Sequence, residues 1–374
     1  MNNLKKIFLT IALILAASGL YYLIFYNEPN NFGEARIKAR EFYLAGENQK
    51  VINVLEKEIK NATSKDAEAS AKSVLAGAYM GVDYKKGVAL LKEIVADESY
   101  AKIRRARAVA VMANLIILNS RSDNAFAREI FSGDPYSLFI DETIPQKINL
   151  GVRKLYEYSL QIYPLPYVEY RVAEWNVKQA AIAKLYNADI YPPTASIDFY
   201  ILRAKDHLAK GDVLMVNFPF FDHETDKGYA YWVSGVVLGL LWELEKNDAY
   251  LKSAEEVFTK SISELVYAPR ATKSYRTLHE VWTRFSYASL LYRAYGDKRA
   301  EDIKKLTNFI VVEKDNFRND KSGRHLGLSA YLERIGRIGE AIRGHSRYDY
   351  DNALALAKIN PNFKEFLKDL GWEI

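Results

Sequence analysis

Asp222, His223, Glu224 and Asp226 place three carboxylates and an imidazole within one short stretch, the donor types that hold divalent cations. The surrounding string, NFPFFDHETDK over Asn217–Lys227, lacks the fixed ligand spacing of a metal loop. It also makes an ordinary solvated acidic turn flanked by phenylalanines, and that simpler account is preferred, so no metal and no cofactor is assigned. His207, His279, His325 and His345 are scattered and share no partner pattern, which suits surface or satisfied core roles. Ser99-Tyr-Ala-Lys102 spells SxxK, but the companion motifs of that chemistry are missing. No phosphate-cradling glycine loop, HExxH or GxSxG occurs. Without cysteine, disulfides, thiolate metal sites, cysteine nucleophiles and a lipidated N-terminal cysteine are excluded. Arg334, Arg337, Arg343 and Arg347 gather in RIGRIGEAIRGHSR, a string able to meet anionic headgroups or an acidic partner. A solvated helix face explains them as well. No catalytic residue emerges, and a binding protein is expected.

Composition narrows the class of partner. Hydrophobic residues make up 49% and charged residues 26%, enough to bury a large core. The net charge of +5 is spread along the chain and falls short of a nucleic-acid footprint. Nucleic acid is not an expected partner. Tyrosine dominates the aromatics with 27 copies; its ring packs while its hydroxyl stays hydrated, as half-buried helix faces require.

The elements that must position any site begin with a hydrophobic N-terminus. Lys5 and Lys6 precede an uncharged run from Ile7 to Tyr26, long enough as a helix for a bilayer core of roughly 30 Å. Tyr21, Tyr22 and Tyr26 stand near its far end, where aromatic belts form. A cleaved signal would use Ile7–Leu15 and cut near Ala16-Ala17-Ser18-Gly19, but the apolar run continues past that point. An uncleaved anchor is the expectation, with residues 1–6 cytoplasmic and the C-terminal body extracytoplasmic. Residues 27–31 make a polar linker.

From Phe32 onward, apolar residues recur at three- and four-residue spacings without sustained alternation, which predicts helix after helix. Helices are expected over Gly33–Ala45, Gln49–Asn61, Ala67–Met80 and Tyr84–Ala96. Across a shift of thirty-six residues Ala35 matches Ala71, Tyr43 matches Tyr79 and Leu55 matches Leu91, the mark of a helical-hairpin array. Asn124–Pro145 reads as loop-rich, Thr194–Lys210 as a helix stopped by Gly211, and Trp232–Trp242 as a buried helix. Further hairpins turn at Asn247-Asp248 and Gly296-Asp297, and closing helices follow with a turn at Asn360-Pro361.

Val74, Leu75, Ala78, Tyr84, Gly87, Leu91 and Ile94 carry small and large residues at the spacing of the tetratricopeptide repeat (TPR), a family this chain resembles over about a quarter of its length. The resemblance implies an all-α, right-handed TPR-like helical-hairpin solenoid behind one N-terminal transmembrane helix. Residues 32–120 would be TPR-like hairpins, 121–228 an irregular helical region, and 229–374 TPR-like C-terminal helices. In that family the first helix of each hairpin lines a concave groove. Mapped here, the groove would hold Arg36, Arg40, Tyr43, Lys72, Tyr79, Arg107 and Asn114, suited to acidic segments or a free C-terminal carboxylate. Ala76 and Val111 stand where carboxylate-clamping members place asparagine. The implied function is a membrane-anchored scaffold for other proteins in a cell-envelope assembly. The alternative is a solute- or glycan-binding receptor built around Tyr191 and Phe218–Phe221.

Overall fold

The computed structural model describes residues 38–39, 42, 47–79, 82–118, 124–139, 147–187, 195–218, 224–266, 273–313, 318–319, 324–325, 327–342 and 345–374. The expected anchor, residues 7–26, lies outside them, and no helix among the described residues is long and apolar enough to cross a membrane. The fold is all-helical. Its only strands among the described residues are a two-residue antiparallel pair, Arg318–Asn319 with Arg324–His325.

The N-terminal hairpins use α1 (Asn48–Lys60), α2 (Lys65–Tyr79), α3 (Tyr84–Ala96) and α4 (Lys102–Leu118). Short polar side chains start them: Ser64 accepts from the Ala67 amide and Asp83 from the Lys86 amide, each satisfying a donor the helix cannot. A short α5 (Asn124–Ile130) and a 3₁₀ turn (Tyr136–Phe139) occupy part of the stretch expected to be loop. Ile130 and Tyr136 are buried there, so these pieces form because they cover the core, not through local periodicity.

The central helices are α6 (Lys147–Ile162), α7 (Pro166–Tyr186), α8 (Ile197–Asn217), α9 (Glu224–Glu245), α10 (Asp248–Val266) and α11 (Lys273–Tyr295). Pro166 opens α7 where its missing N–H costs nothing, and Ser196 caps α8 on the Phe199 amide. The C-terminal helices are α12 (Ala300–Val312), α13 (Gly327–Ile338), α14 (His345–Ile359) and α15 (Pro361–Asp369). Asn360 caps α15 at the expected Asn-Pro turn. The arginine string is not one helix face, because α13 ends at Ile338 and Gly339 turns the chain at φ +59°.

From α1 to α4 and from α6 to α12 each helix packs on its neighbour in sequence, with α4 reaching α6 past the short α5; α2 also touches α4, α7 touches α9, and α9 touches α11. The last helices group together instead, α11 touching α13 and α14, and α12 touching α14 and α15. Three apolar clusters follow one another along this series: one around Leu55 and Leu75, one from Ala69 to Leu290, and one from Val281 to Trp372. α9 is buried through Val233, Val237, Leu240 and Leu241, as its apolar run predicts.

Gly211 does not stop α8, which continues to Asn217. Its place in mid-helix is explained by Tyr170 of α7, since a Cβ on Gly211 would lie 2.4 Å from that ring. The Tyr170 ring is buried and its hydroxyl donates to Asp212 at 2.7 Å, so it has little room to move. Gly211→Ala should therefore destabilise the protein: overpacking costs about 1–3 kcal/mol, of which helix propensity returns about 1 kcal/mol. Urea unfolding followed by circular dichroism measures the difference; a stabilised variant would show that the contact yields freely.

Candidate ligand-binding cleft

Of the groove residues expected from sequence, Arg36, Arg40 and Tyr43 lie outside the described residues. Lys72 is not open to a groove; it is only 9% exposed. Its ammonium donates to Glu93 at 2.6 Å and Tyr100 at 2.9 Å and pairs with Glu68 at 2.9 Å. Burial works against the charge, but these partners outweigh it and raise the Lys72 ammonium above its ordinary value. Burial likewise opposes ionisation of Glu68, and bonds from Lys72, Tyr100 and Lys65 hold its carboxyl down at about 2. The charge of Lys72 is thus answered inside the hairpin. Tyr79 donates to Glu56 of α1 at 2.7 Å and Asn114 accepts from Tyr156 of α6 at 2.6 Å, so both serve helix–helix contacts, while Arg107 is half-buried.

The acidic cluster at Asp222, His223, Glu224 and Asp226 lies outside the residues whose side chains are described. So do Tyr191, Pro219, Phe220 and Phe221 of the aromatic loops. Phe218 is half-buried against the central core. No cluster of ligating side chains suited to a metal occurs among the described residues. His207 is a satisfied core histidine, 2.6 Å from the Glu169 carboxylate.

Charged and aromatic side chains converge elsewhere, where α7, α9 and α11 lie side by side. These helices run in one direction: Arg171 meets Tyr229 near their starts, and Lys184 bonds the Leu244 carbonyl near their ends. His279 and Arg293 of α11 meet Tyr229 and Glu243 of α9 in the same order. Helical spacing puts Arg171, Glu174 and Lys178 on one face of α7, and His279, Trp282 and Ser286 on one face of α11.

A circuit of contacts joins those faces. The Arg171 guanidinium lies 4.9 Å from the Tyr229 ring centre and 5.2 Å from that of Trp232, and its Nε donates to the Tyr229 hydroxyl at 2.8 Å. Trp232 donates to Ser286 at 3.0 Å, and its ring stands 5.9 Å from Trp282. Trp282 is 5.2 Å from Tyr331 of α13, whose hydroxyl donates to Asp349 of α14 at 2.6 Å. From α14, Tyr348 donates to Glu243 at 2.5 Å, while Asp351 accepts from Tyr186 of α7 at 2.9 Å. Arg293 completes the arrangement with a 2.6 Å bond to Glu243. Five helices thereby bring one set of mostly half-buried charged and aromatic side chains together, and the space they border is the candidate cleft. A recess of about 400 Å³, lined by Trp242, Glu243, Lys246, Tyr292, Arg293 and Gly296, adjoins it where α9 and α11 end.

The cleft holds two carboxylates in unlike environments. Glu174, 6% exposed, pairs with Arg171 and, at 2.6 Å, with Lys178. Burial alone would raise its carboxyl; the two cations overcome that and hold it at about 2. Asp349, 19% exposed, has weaker support. Burial pushes its carboxyl up to about 6, offset only in part by Lys178 and the Tyr331 hydroxyl. His345, 3.7 Å from Asp349 and stacked on Tyr348, is driven well below the ordinary histidine value by burial and by Lys178.

The sequence hides these residues because they are spread from Arg171 to Asp351 and form no short motif. The one signal in the sequence is the periodic placement of tyrosine, tryptophan and charge on helices that otherwise read as buried.

No family model, curated protein or solved structure matches the chain. What the cleft can do must come from its own chemistry.

Proposed function

We propose that the chain is a membrane-anchored, TPR-like binding protein that holds other proteins at the extracytoplasmic face of the cytoplasmic membrane and catalyses no reaction. The carrying observation is the serial packing of helical hairpins with α7, α9 and α11 in a parallel row, since stacked hairpins present a continuous inner face to a partner. The TPR-like reading as a right-handed solenoid draws support from the second hairpin, where Leu75, Ala78, Leu91 and Ile94 are buried at the spacing that family uses. The anchor rests on the apolar run Ile7–Tyr26 and on Lys5 and Lys6 before it.

Photo-crosslinking in intact cells tests this reading. A crosslinking residue replacing Arg36, Arg107 or Lys178 in the full chain should give discrete adducts with envelope proteins from at least one position. The exposed Lys252 serves as control. Adducts from Lys252 alone, or from no position, would reject protein capture. Protease added outside the cells should digest the body; protection of residues 32–374 would overturn the orientation.

A further inference from the structure

Beyond protein capture, we propose that the cleft bordered by α7, α9, α11, α13 and α14 binds a neutral carbohydrate, with a sugar ring lying against Trp282. The wall of the cleft consists of Tyr229, Trp232, Trp282 and Tyr331, with successive ring centres 5.4, 5.9 and 5.2 Å apart. Their planes tilt by 59°, 42° and 48°, so the rings follow a curve rather than stacking into one block. All four are only half-buried. Each packs against a buried apolar cluster on one side and keeps part of its ring uncovered, in reach of a ligand.

The polar groups select the ligand's charge. A cationic ligand on Trp282 would face the like charges of Arg171, over Tyr229 and Trp232, and of Arg334, 5.2 Å from the Tyr331 ring centre. Among the described residues, the cations placed over this wall fall on those three rings and not on Trp282. An anionic ligand would need an uncommitted cation, but Arg171 and Lys178 both bond Glu174, and the Asp349 carboxylate shares the space. Arg171 and Lys178 balance Glu174 and Asp349, leaving the set without net charge when all are ionised. A neutral ligand meets neither obstacle.

What remains at the cleft is a mixture of fixed donors and acceptors beside an aromatic plane. Lys178 can donate to hydroxyls, His345 can donate to or accept from them, and Glu174 and Asp349 accept from them. A pyranose offers the complement: neighbouring hydroxyls around its edge and a C–H face that packs on an indole. An uncharged peptide has fewer hydroxyls with which to meet these groups. Carbohydrate is therefore the better match.

The test titrates the purified full-length protein, in detergent, with maltohexaose, cellohexaose and chitohexaose while following tryptophan fluorescence. An uncharged glycine–serine–asparagine peptide is titrated alongside. At least one oligosaccharide should saturate the signal, and Trp282→Ala should weaken it about tenfold or more, with Trp282→Tyr recovering part of the loss. Lys178→Met, at a 25% exposed side chain, supplies a second weakened variant should Trp282→Ala fail to fold. The proposal is overturned if no sugar binds at about 10 mM, if both variants bind as the parent does, or if the peptide binds and the sugars do not. No partner protein enters the titration, so its failure and the failure of protein capture are separately visible.

Discussion

Arg171→Met should lower the unfolding free energy by about 3–5 kcal/mol, the usual result of removing one partner from a buried ion pair. Arg171 is 12% exposed and Glu174 6%, so the carboxylate left behind keeps Lys178 as its cation and has little access to water. The same change strips the cation from the Tyr229 and Trp232 rings and cuts the bonds that tie α7 to α9. Replacing both partners, Arg171→Met with Glu174→Leu, should recover much of the loss because the charge then left without its pair is Lys178, at a 25% exposed side chain, and no longer the 6% exposed Glu174. Loss of Arg171 should also let the Glu174 carboxyl rise from about 2 towards ordinary values. The single variant should then be less impaired at pH 4 than at pH 7. Urea unfolding of the parent, both single variants and the double variant gives the coupling directly. A double variant no more stable than Arg171→Met would show that packing of the arginine stem, not charge compensation, holds this part of the cleft.

Asp349→Asn should stabilise the protein by about 3 kcal/mol at pH 8 and by almost nothing at pH 4. Burial raises this carboxyl from 3.8 to about 6, and each unit corresponds to about 1.4 kcal/mol. A raised acid favours the folded state fully only below its ordinary value, and that contribution is lost as pH rises through 6. Asparagine carries no charge at any of these pH values and still accepts from the Tyr331 hydroxyl. Two other groups act in the opposite sense. Glu174, held low, stabilises the fold above about 4.5 and loses that effect as pH falls towards 2. His345, held low, favours the fold above 6.5 and loses its effect as the unfolded chain becomes protonated below that value. Both are common to parent and variant, so they largely cancel in the difference at pH 8; at pH 4 the loss of the carboxylate beside His345 also changes the histidine's share. Thermal or urea unfolding at pH 4, 6 and 8 is the measurement. A pH-independent difference would mean that Asp349 is not buried as a costly charge.

The helices themselves were readable from local spacing. Tyr84–Ala96 matches its expectation, the turns at Asn247-Asp248, Gly296-Asp297 and Asn360-Pro361 fall between helices, and the Trp232–Trp242 run is buried. Periodic apolar residues and short polar caps act within a few residues of one another, so a linear reading captures them. The misread features depend on residues far along the chain. Gly211 looks like a helix stop until the Tyr170 ring of another helix is placed against it. Lys72 looks like an open groove cation until Glu93 of the next helix and Tyr100 just beyond that helix reach it.

The cleft is the extreme case. Residue order alone specifies an all-helical chain of hairpins with aromatic and charged residues on their faces and no recognisable catalytic motif. It took the folded arrangement to bring Arg171, Trp232, Trp282, Tyr331 and Asp349 around one space, and to make Glu174 and Asp349 hold protons so differently there. Helical periodicity assigns each side chain to a face of its own helix. Which faces meet, and how much water remains between them, depends on packing between segments more than a hundred residues apart.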